Sequence, residues 1–163
     1  MLTQQYLKEY VHYEPETGIF TWAFNKGSRH PIVFGNRADT ISKGYCRVGI
    51  KRVRYAAHRL AWLYMTGGWP KHHIDHINGN PLDNRFCNLR DVTASVNLQN
   101  QRKASPRNKC GLLGVSFNKK SMKYDAFICT NYQKKWLGNY LTPEEAHQVY
   151  LAAKRVLHAG CTI

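Results

Sequence analysis

The sequence predicts an α+β fold built from short antiparallel strands and a small number of helices. Short runs rich in Val, Ile, Tyr, Phe and Trp recur along the chain, and clusters of Gly, Asn and Pro separate them. Few segments carry apolar residues at helical spacing. The hydrophobic content of 43% is sufficient for a core held by apolar burial alone.

The N-terminal part is predicted to be a small α/β region. Apolar residues at helical spacing predict a helix over LTQQYLKEYVHY, and the turn PETG then leads into a strand, IFTWAF. After a loop, GYCRVGI and VRYAAH form a hairpin whose turn is the charged pair Lys51-Arg52. The run HRLAWLYM predicts a short helix, which Gly67-Gly68 and Pro70 end.

The middle of the chain is predicted to be a ββα unit. The strand HHIDHI, the loop NGNPLDN and the strand LRDV precede a helix, ASVNLQNQ, for which Thr93 can supply the N-cap. This unit completes a domain over residues 1–100. The basic and polar stretch QRKASPRNKCG, residues 101–111, has no apolar periodicity and is predicted to be a linker.

The C-terminal domain, residues 112–163, is predicted to be a three-stranded antiparallel sheet packed on one helix. The strands are LLGVSF, YDAFICT and KKWLGNY. Thr142, Pro143 and Glu145 form the start of a capped helix. Apolar residues at helical spacing predict its buried face: Ala146, Val149, Tyr150, Ala153, Val156 and Leu157.

The net charge of +14 predicts a polyanionic partner. Double-stranded DNA is the leading expectation, and charge alone leaves RNA as an alternative.

The chain has no apolar run near the length of a membrane span and no signal-peptide pattern, so we expect no membrane association and a cytoplasmic location. Five scattered cysteines without C-x-x-C argue against disulfides and zinc knuckles. No segment indicates an obligate protein partner, and we expect a monomer rather than a dimer.

Four side chains in the ββα segment suggest a reaction centre: Asp75, His76, Asn88 and Asn97. Oxygens from Asp75 and Asn97 are the donors that Mg²⁺ or Mn²⁺ prefers. His76, with an ordinary pKa of about 6.5, can take a proton from water near neutral pH. Each Asn or Asp taken singly is an ordinary turn residue. The joint spacing, twelve residues from His76 to Asn88 and nine from Asn88 to Asn97, favours the catalytic interpretation.

The run DHINGNPLDNRFCNLR, followed by Asn97, resembles the motif of HNH nucleases in the form found in phage and homing endonucleases. The motif spans residues 72–100, and the resemblance extends upstream through ETGIFTW, GYCRVGI and AHRLAWLYMTGGWP. It implies a ββα-metal unit in which His76 is the general base and Asn88 braces the loop. Asp75 and Asn97 would hold one divalent ion, Mg²⁺ in the first instance and Mn²⁺ as the alternative.

One position departs from the commonest form of that motif, because Asn97 stands where many members have His. Strand-nicking homing enzymes are similar in this respect, so nicking and double-strand cutting both stay open.

Arg90 is expected either to contact a phosphate or to form a buried ion pair. His72 and His73 either touch phosphate or are solvated, and His58 is expected to pack or cap.

Residues 112–163 resemble the AP2 DNA-binding family on G-V, W-L-G and T-P-E-E-A-x-x-x-Y-x-x-A-A. The resemblance implies a sheet lying in the major groove. Residues 101–163 carry 11 Lys or Arg and three acidic residues, an excess of +8. The expected DNA contacts are basic residues and one aromatic residue: Lys119, Lys120, Lys123, Lys134, Lys135 and Trp136. Lysine contacts to the backbone fix affinity more than sequence choice. Each lysine could instead be a solvated charge, and Trp136 a core residue.

These patterns together predict a metal-dependent DNA endonuclease of the phage or homing HNH type, which would act in a bacterial host cell. The alternative is a non-catalytic DNA-binding regulator that retains the HNH unit as a scaffold.

Overall fold

The structure, a computed structural model, describes residues 2–27, 31–130 and 132–162. They form two compact units, Met1–Ala94 and Ser95–Ile163. The division falls ahead of the predicted linker at 101–111, and the assignment of a nuclease domain to 1–100 and a DNA-binding domain to 112–163 stays a prediction. In the described ranges, no helix has both the length and the apolar character needed to cross a membrane.

The first unit begins with helix α1, Gln4–Tyr10, followed by strands β1, Val11–Glu14, and β2, Ile19–Trp22. The predicted continuation of the helix beyond Tyr10 is wrong. Val11 and Tyr13 are buried while His12 and Glu14 are exposed, an alternation that suits a strand and not a helix. β1 and β2 pair in antiparallel register, with Val11 opposite Trp22.

A three-stranded antiparallel sheet follows, formed by β3, Asp39–Ser42, β4, Tyr45–Ile50, and β5, Val53–Ala56. The predicted hairpin of β4 and β5 is confirmed, and Lys51 and Arg52 occupy its turn with φ of 46° and 66°. β3 was not predicted. Helix α2, Ala57–Thr66, ends as expected at Gly67, whose φ is 81°.

The site-bearing segment consists of β6, His73–His76, a short 3₁₀ helix, Phe86–Asn88, and β7, Leu89–Val92. β6 and β7 form a two-stranded antiparallel sheet, so both predicted strands are confirmed. Ile74 and Leu89 join a core built from the whole unit. The other large members of this core are Leu7, Val11, Tyr13, Phe20, Val48, Ile50, Leu60 and Leu63.

The second unit begins within helix α3, Ala94–Gln99, whose first residue belongs to the first unit. Three strands follow: β8, Val115–Asn118, β9, Lys123–Thr130, and β10, Gln133–Tyr140. The strands form an antiparallel sheet in the order β10-β9-β8. Helix α4, Pro143–Leu157, packs on it through Ala146, which meets Val115 and Ala126. The predicted capping box of Thr142 and Glu145 is confirmed.

The buried face of α4 differs from the prediction. Ala146, Tyr150 and Lys154 are buried, because positions four apart lie on one line of a helix. Val156, expected in the core, is 83% exposed. The amine of Lys154 reaches the carbonyl oxygen of Gln101 and donates a hydrogen bond to it, so this lysine joins α4 to the segment after α3.

Candidate functional site

Asp75 and His76 are the last two residues of β6, and both are buried, each with 7% of its surface exposed. Asp75 pairs with Arg90 across the hairpin, and His76 pairs with Leu89. Neighbouring side chains on a strand point to opposite faces, so the burial of both requires protein on either side of the strand end. Around His76 that protein includes Asn84 of the following loop and His58 of α2, and beside Asp75 it includes Arg90 of β7.

The side chain that contacts His76 is Asn84. Nε2 of His76 lies 3.2 Å from Oδ1 of Asn84, which is 2% exposed. The amide nitrogen of Asn84 donates to the carbonyl of Leu82 at 3.3 Å, which orients the amide oxygen towards the imidazole. Because that oxygen only accepts, the contact selects the His76 tautomer with its hydrogen on Nε2 and its lone pair on Nδ1.

Burial lowers the pKa of His76 below its ordinary value of 6.5, against the opposing effects of the Asn84 hydrogen bond and the Asp75 charge. The neighbouring His58 has its pKa lowered to about 4, again chiefly by burial and also by the proximity of His76. Both rings are therefore neutral at pH 7. A neutral imidazole is the form that can accept a proton.

Asn88 closes the loop between β6 and β7. Its Oδ1 accepts a hydrogen bond from the backbone N–H of Asn78 at 2.9 Å. Its Nδ2 donates to the carbonyl of Asp83 at 2.8 Å and to Oδ1 of Asn78 at 3.0 Å. Arg85 pairs with Asp83 at 2.7 Å and lowers the pKa of that carboxyl to about 2. These contacts fix the path of the loop that carries Asn84.

Arg90 forms an ion pair with Asp75. Its Nε and one terminal nitrogen lie 2.9 and 2.7 Å from Oδ2 of Asp75, and its side chain is 25% exposed. Of the two interpretations left open for Arg90, the structure shows the ion pair, and a phosphate contact stays a prediction.

The hairpin of β1 and β2 supports the loop from behind. The hydroxyl of Tyr13 donates to the carbonyl of Asn84 at 2.7 Å, and the N–H of Phe86 donates to the carbonyl of Pro15 at 3.1 Å. Gly18 fits so closely that a Cβ there would lie 2.5 Å from the backbone nitrogen of Arg85. This support was not predicted, and the sequence offers no local signal for it. The contact of Asn84 with His76 was not predicted either.

The remaining expected metal donor, Asn97, lies on α3 at a half-buried position of the second unit. Within residues 2–27, 31–130 and 132–162, no group of three or more His, Cys, Asp or Glu side chains is arranged to hold an ion. A carboxylate and an amide are a different donor set, and their hard oxygens suit Mg²⁺ or Mn²⁺. A carboxylate has about four acceptor positions, so ligation by Asp75 is compatible with its Arg90 pair.

His72 and His73 are exposed at the start of β6. The neighbouring carboxylate of Asp91 accepts hydrogen bonds from the backbone N–H groups of Lys71 and His72, at 2.7 and 2.9 Å. These bonds set the entry into β6 and leave the roles of both imidazoles as predictions.

The strand pairing shows on which face of the second unit's sheet each expected DNA contact lies. Residues directly opposite one another share a face. Trp136 lies opposite Phe127, and Lys134 lies opposite Cys129, on the face away from the buried Ala126 and Ile128. Lys135 lies opposite Ile128, on the face towards α4. The sequence prediction had grouped Lys134 and Lys135 together.

The face of Lys134 and Trp136, here called the outer face, is aromatic and basic. Trp136 is 68% exposed, which excludes the alternative of a core residue. Nζ of Lys134 lies 3.7 Å from the centre of the Phe127 ring. Lys123, opposite Asn118 at the end of the sheet, is on the same face, while Lys119 and Lys120 are exposed in the turn between β8 and β9.

Comparison with known proteins gives the class to which this site belongs. The HNH endonuclease family matches residues 55–99, the segment that contains α2, β6, the 3₁₀ helix, β7 and α3. An uncharacterized HNH endonuclease of Acanthamoeba polyphaga mimivirus is 31% identical over 135 residues, which are 82% of this chain and 68% of that protein. The chain belongs to the HNH endonuclease family, as its motif indicated.

A second relative, Protein 3.8 of Escherichia phage T7, is 40% identical over 63 residues, which are 38% of this chain and 51% of that protein. The chain therefore spans about half of the phage relative. No solved structure matches. The resemblance of residues 112–163 to the AP2 family stays a prediction.

Proposed function

We propose that the protein is a divalent-metal-dependent endonuclease of the phage or homing HNH type, which hydrolyses phosphodiester bonds of duplex DNA. The observation that carries the proposal is the buried pair Asp75-His76 at the end of β6, with His76 bonded to Asn84. A buried histidine held in one neutral tautomer suits general-base catalysis.

In this reaction His76 accepts a proton from a water molecule while the oxygen of that water attacks phosphorus. The bond from phosphorus to the 3′ oxygen breaks, and the 3′ oxygen takes a proton from solvent. The products are a 5′-phosphate and a 3′-hydroxyl. Asn84 orients the imidazole, and Asn88 keeps the loop of Asn84 in place. The lowered pKa of His76 keeps the ring able to accept a proton at neutral pH.

Asp75 and Asn97 would hold the ion, with Mg²⁺ as the first choice and Mn²⁺ as the second, and Arg90 would keep the Asp75 carboxylate in a fixed orientation. A divalent ion bound by such groups stabilises the negative charge that develops on the phosphate and on the leaving oxygen.

For DNA binding we propose the outer face of the second unit, through Lys123, Lys134 and Trp136, with the turn lysines Lys119 and Lys120 beside it. The charge excess of this part of the chain, exposed lysines and an exposed indole support the proposal. An AP2-like docking of this sheet into the major groove is the corresponding geometry.

The test is cleavage of supercoiled plasmid by the purified protein with Mg²⁺, with Mn²⁺ and with EDTA. A general base contributes about 10²- to 10⁴-fold, so His76→Ala should slow cleavage by that order while DNA binding in EDTA is unchanged. His12→Ala, which alters an exposed histidine of β1, is the matched control. Wild-type cleavage by His76→Ala would refute the assignment of the base. DNA binding without any metal-dependent cleavage by the wild type would support the regulator instead.

A further inference from the structure

The first unit contains a cavity of about 490 Å³ that lies apart from the HNH motif. One wall is aromatic and is formed by Tyr10, Trp22 and Phe24. Phe24 meets Tyr10 at 5.2 Å and Trp22 at 5.8 Å between ring centroids, in both cases edge to face. All three rings are half-buried, so each keeps part of its surface open. The volume is within the range of small-ligand sites, about 300 to 1,000 Å³.

The rim of this cavity is basic. Lys26, Lys51 and Arg52 line it and are exposed, and the described residues of its lining include no carboxylate. Nζ of Lys51 lies 4.4 Å from the centre of the Tyr6 ring, and the hydroxyl of Tyr6 donates a hydrogen bond to the hydroxyl of Tyr10, which lines the cavity. An anion is therefore the complement of the rim, while a flat apolar group is the complement of the wall.

The turn that carries two of these charges has an unusual sequence. Lys51 and Arg52 both have positive φ, 46° and 66°, in a two-residue turn where Gly and Asn fit best. Two long basic side chains therefore occupy a conformation that is unfavourable for them. Such backbone positions are often found where a side chain has a function in binding.

We propose that this cavity binds one unpaired nucleotide of a DNA strand, with its base against Tyr10, Trp22 and Phe24 and its phosphates beside Lys51 and Arg52. A base inside a duplex has both faces covered by its neighbours, so only an unpaired base can present a face to the wall. Aromatic wall and basic rim together are the combination used for single-stranded nucleic acid. The inference rests on the proposed function in that the strand is taken from a DNA substrate.

The test uses the full chain in EDTA, where binding is measured without cleavage. A fluorescein-labelled 12-nucleotide oligothymidylate should bind at least about fivefold more tightly than an abasic strand of the same length, because the abasic strand keeps the phosphates and loses the stacking. Equal Kd values for the two strands would overturn the proposal. Thymidine monophosphate as a competitor distinguishes a free nucleotide from one within a strand: strong competition at micromolar concentration would also overturn it.

The site itself is tested by photo-crosslinking with 5-iodouracil in the strand and by charge variants. The crosslinked peptide should contain Tyr10, Trp22 or Phe24, and crosslinks confined to the second unit would overturn the proposal. Lys51→Glu should weaken binding of the oligothymidylate at least about fivefold. Lys43→Glu is its matched control, because Lys43 is also exposed and also has a positive φ, 51°, in the turn between β3 and β4, and it should change Kd by less than about twofold.

These readouts separate the two proposals. A crosslink in the cavity from a protein that cleaves no plasmid would leave this inference standing and refute the nuclease. Metal-dependent cleavage by a protein that gives no such crosslink would do the reverse.

Discussion

The imidazole rings of His58 and His76 meet edge to face, with 5.1 Å between their centroids. Nδ1 of His58 is buried and has no hydrogen-bond partner among the residues that the structure describes. A proton added to His58 would place a positive charge beside the proposed base, whose own ring is neutral at pH 7. Protonation of His58 is therefore unfavourable in the folded state, which makes the stability of the site depend on pH.

The first prediction concerns stability in acid. In the unfolded chain His58 takes a proton near pH 6.5, whereas in the folded chain it does so near pH 4. As the pH falls between these values the unfolded state binds the extra proton, so stability that is fully present above pH 6.5 is lost. The loss for this group is roughly 3 kcal/mol. Urea unfolding at a series of pH values measures it.

The variant for this prediction is His58→Asn, which should show a shallower fall in the free energy of unfolding between pH 6.5 and 4. His12→Asn, at an exposed position of β1, should retain the slope of the wild type. If His58→Asn and the wild type have the same slope, His58 does not titrate in this window.

The second prediction concerns Asn84. Asn84→Ala removes the oxygen that orients His76. The rate of plasmid cleavage should therefore fall about 10- to 100-fold, the usual effect of losing a partner that orients a functional histidine. Asn84→Asp retains an acceptor and adds a negative charge, which raises the pKa of His76. The acid limb of the pH profile for cleavage should then move to higher pH.

Asn80→Ala is the control for this pair, because Asn80 is an exposed residue of the same loop. It should leave the pH profile unchanged. A profile that is identical in wild type and Asn84→Asp would mean that Asn84 supports the fold without acting on His76.

The third prediction compares two adjacent lysines on opposite faces of the second sheet. Lys134→Ala should reduce the slope of log K against log salt by about one, as expected for the loss of one phosphate contact, while Lys135→Ala should leave it unchanged. Trp136→Ala on the outer face should weaken duplex binding by about fivefold or more. Titrations in EDTA at several salt concentrations provide both values, and equal effects of the two lysine variants would contradict docking through the outer face.

The fourth prediction concerns the contact between the first hairpin and the loop that carries Asn84. Gly18 and Gly44 have similar φ values, 73° and 79°, but only Gly18 has backbone atoms where a Cβ would lie. Gly44→Ala should cost about 1–2 kcal/mol of unfolding free energy for its φ alone. Gly18→Ala should cost more and should also reduce cleavage, because it displaces the backbone of Asn84 and Arg85. Thermal unfolding and the plasmid assay together measure both effects.

The features that the sequence predicted well have local causes. The start of α4 follows from Thr142, Pro143 and Glu145, which lie within one turn. β6 and β7 follow from short apolar runs on either side of an Asn-rich loop. For Arg90 a buried ion pair was one of two stated alternatives, and the structure supplies its partner, Asp75.

The features that it missed depend on distant parts of the chain. The backbone of Asn84 is bonded to Tyr13, 71 residues earlier, and no periodicity or spacing reports such a contact. Lys154 is buried because the carbonyl of Gln101, 53 residues away, accepts its hydrogen bond. Val156 faces solvent, although its apolar side chain and helical spacing predicted burial. The prediction extended α1 beyond Tyr10 because the positions of Val11 and Tyr13 fit both a helical and a strand periodicity over so short a stretch.

The bonds from Tyr13 and Pro15 to the loop at Asn84–Phe86 bear on how this nuclease motif can be moved between proteins. The family match covers residues 55–99, yet the surface on which the loop of Asn84 rests is encoded at residues 13–18. A graft of the matched segment alone into another scaffold would carry His76 and Asn84 without the hairpin that supports their loop. The transferable unit begins at the first hairpin.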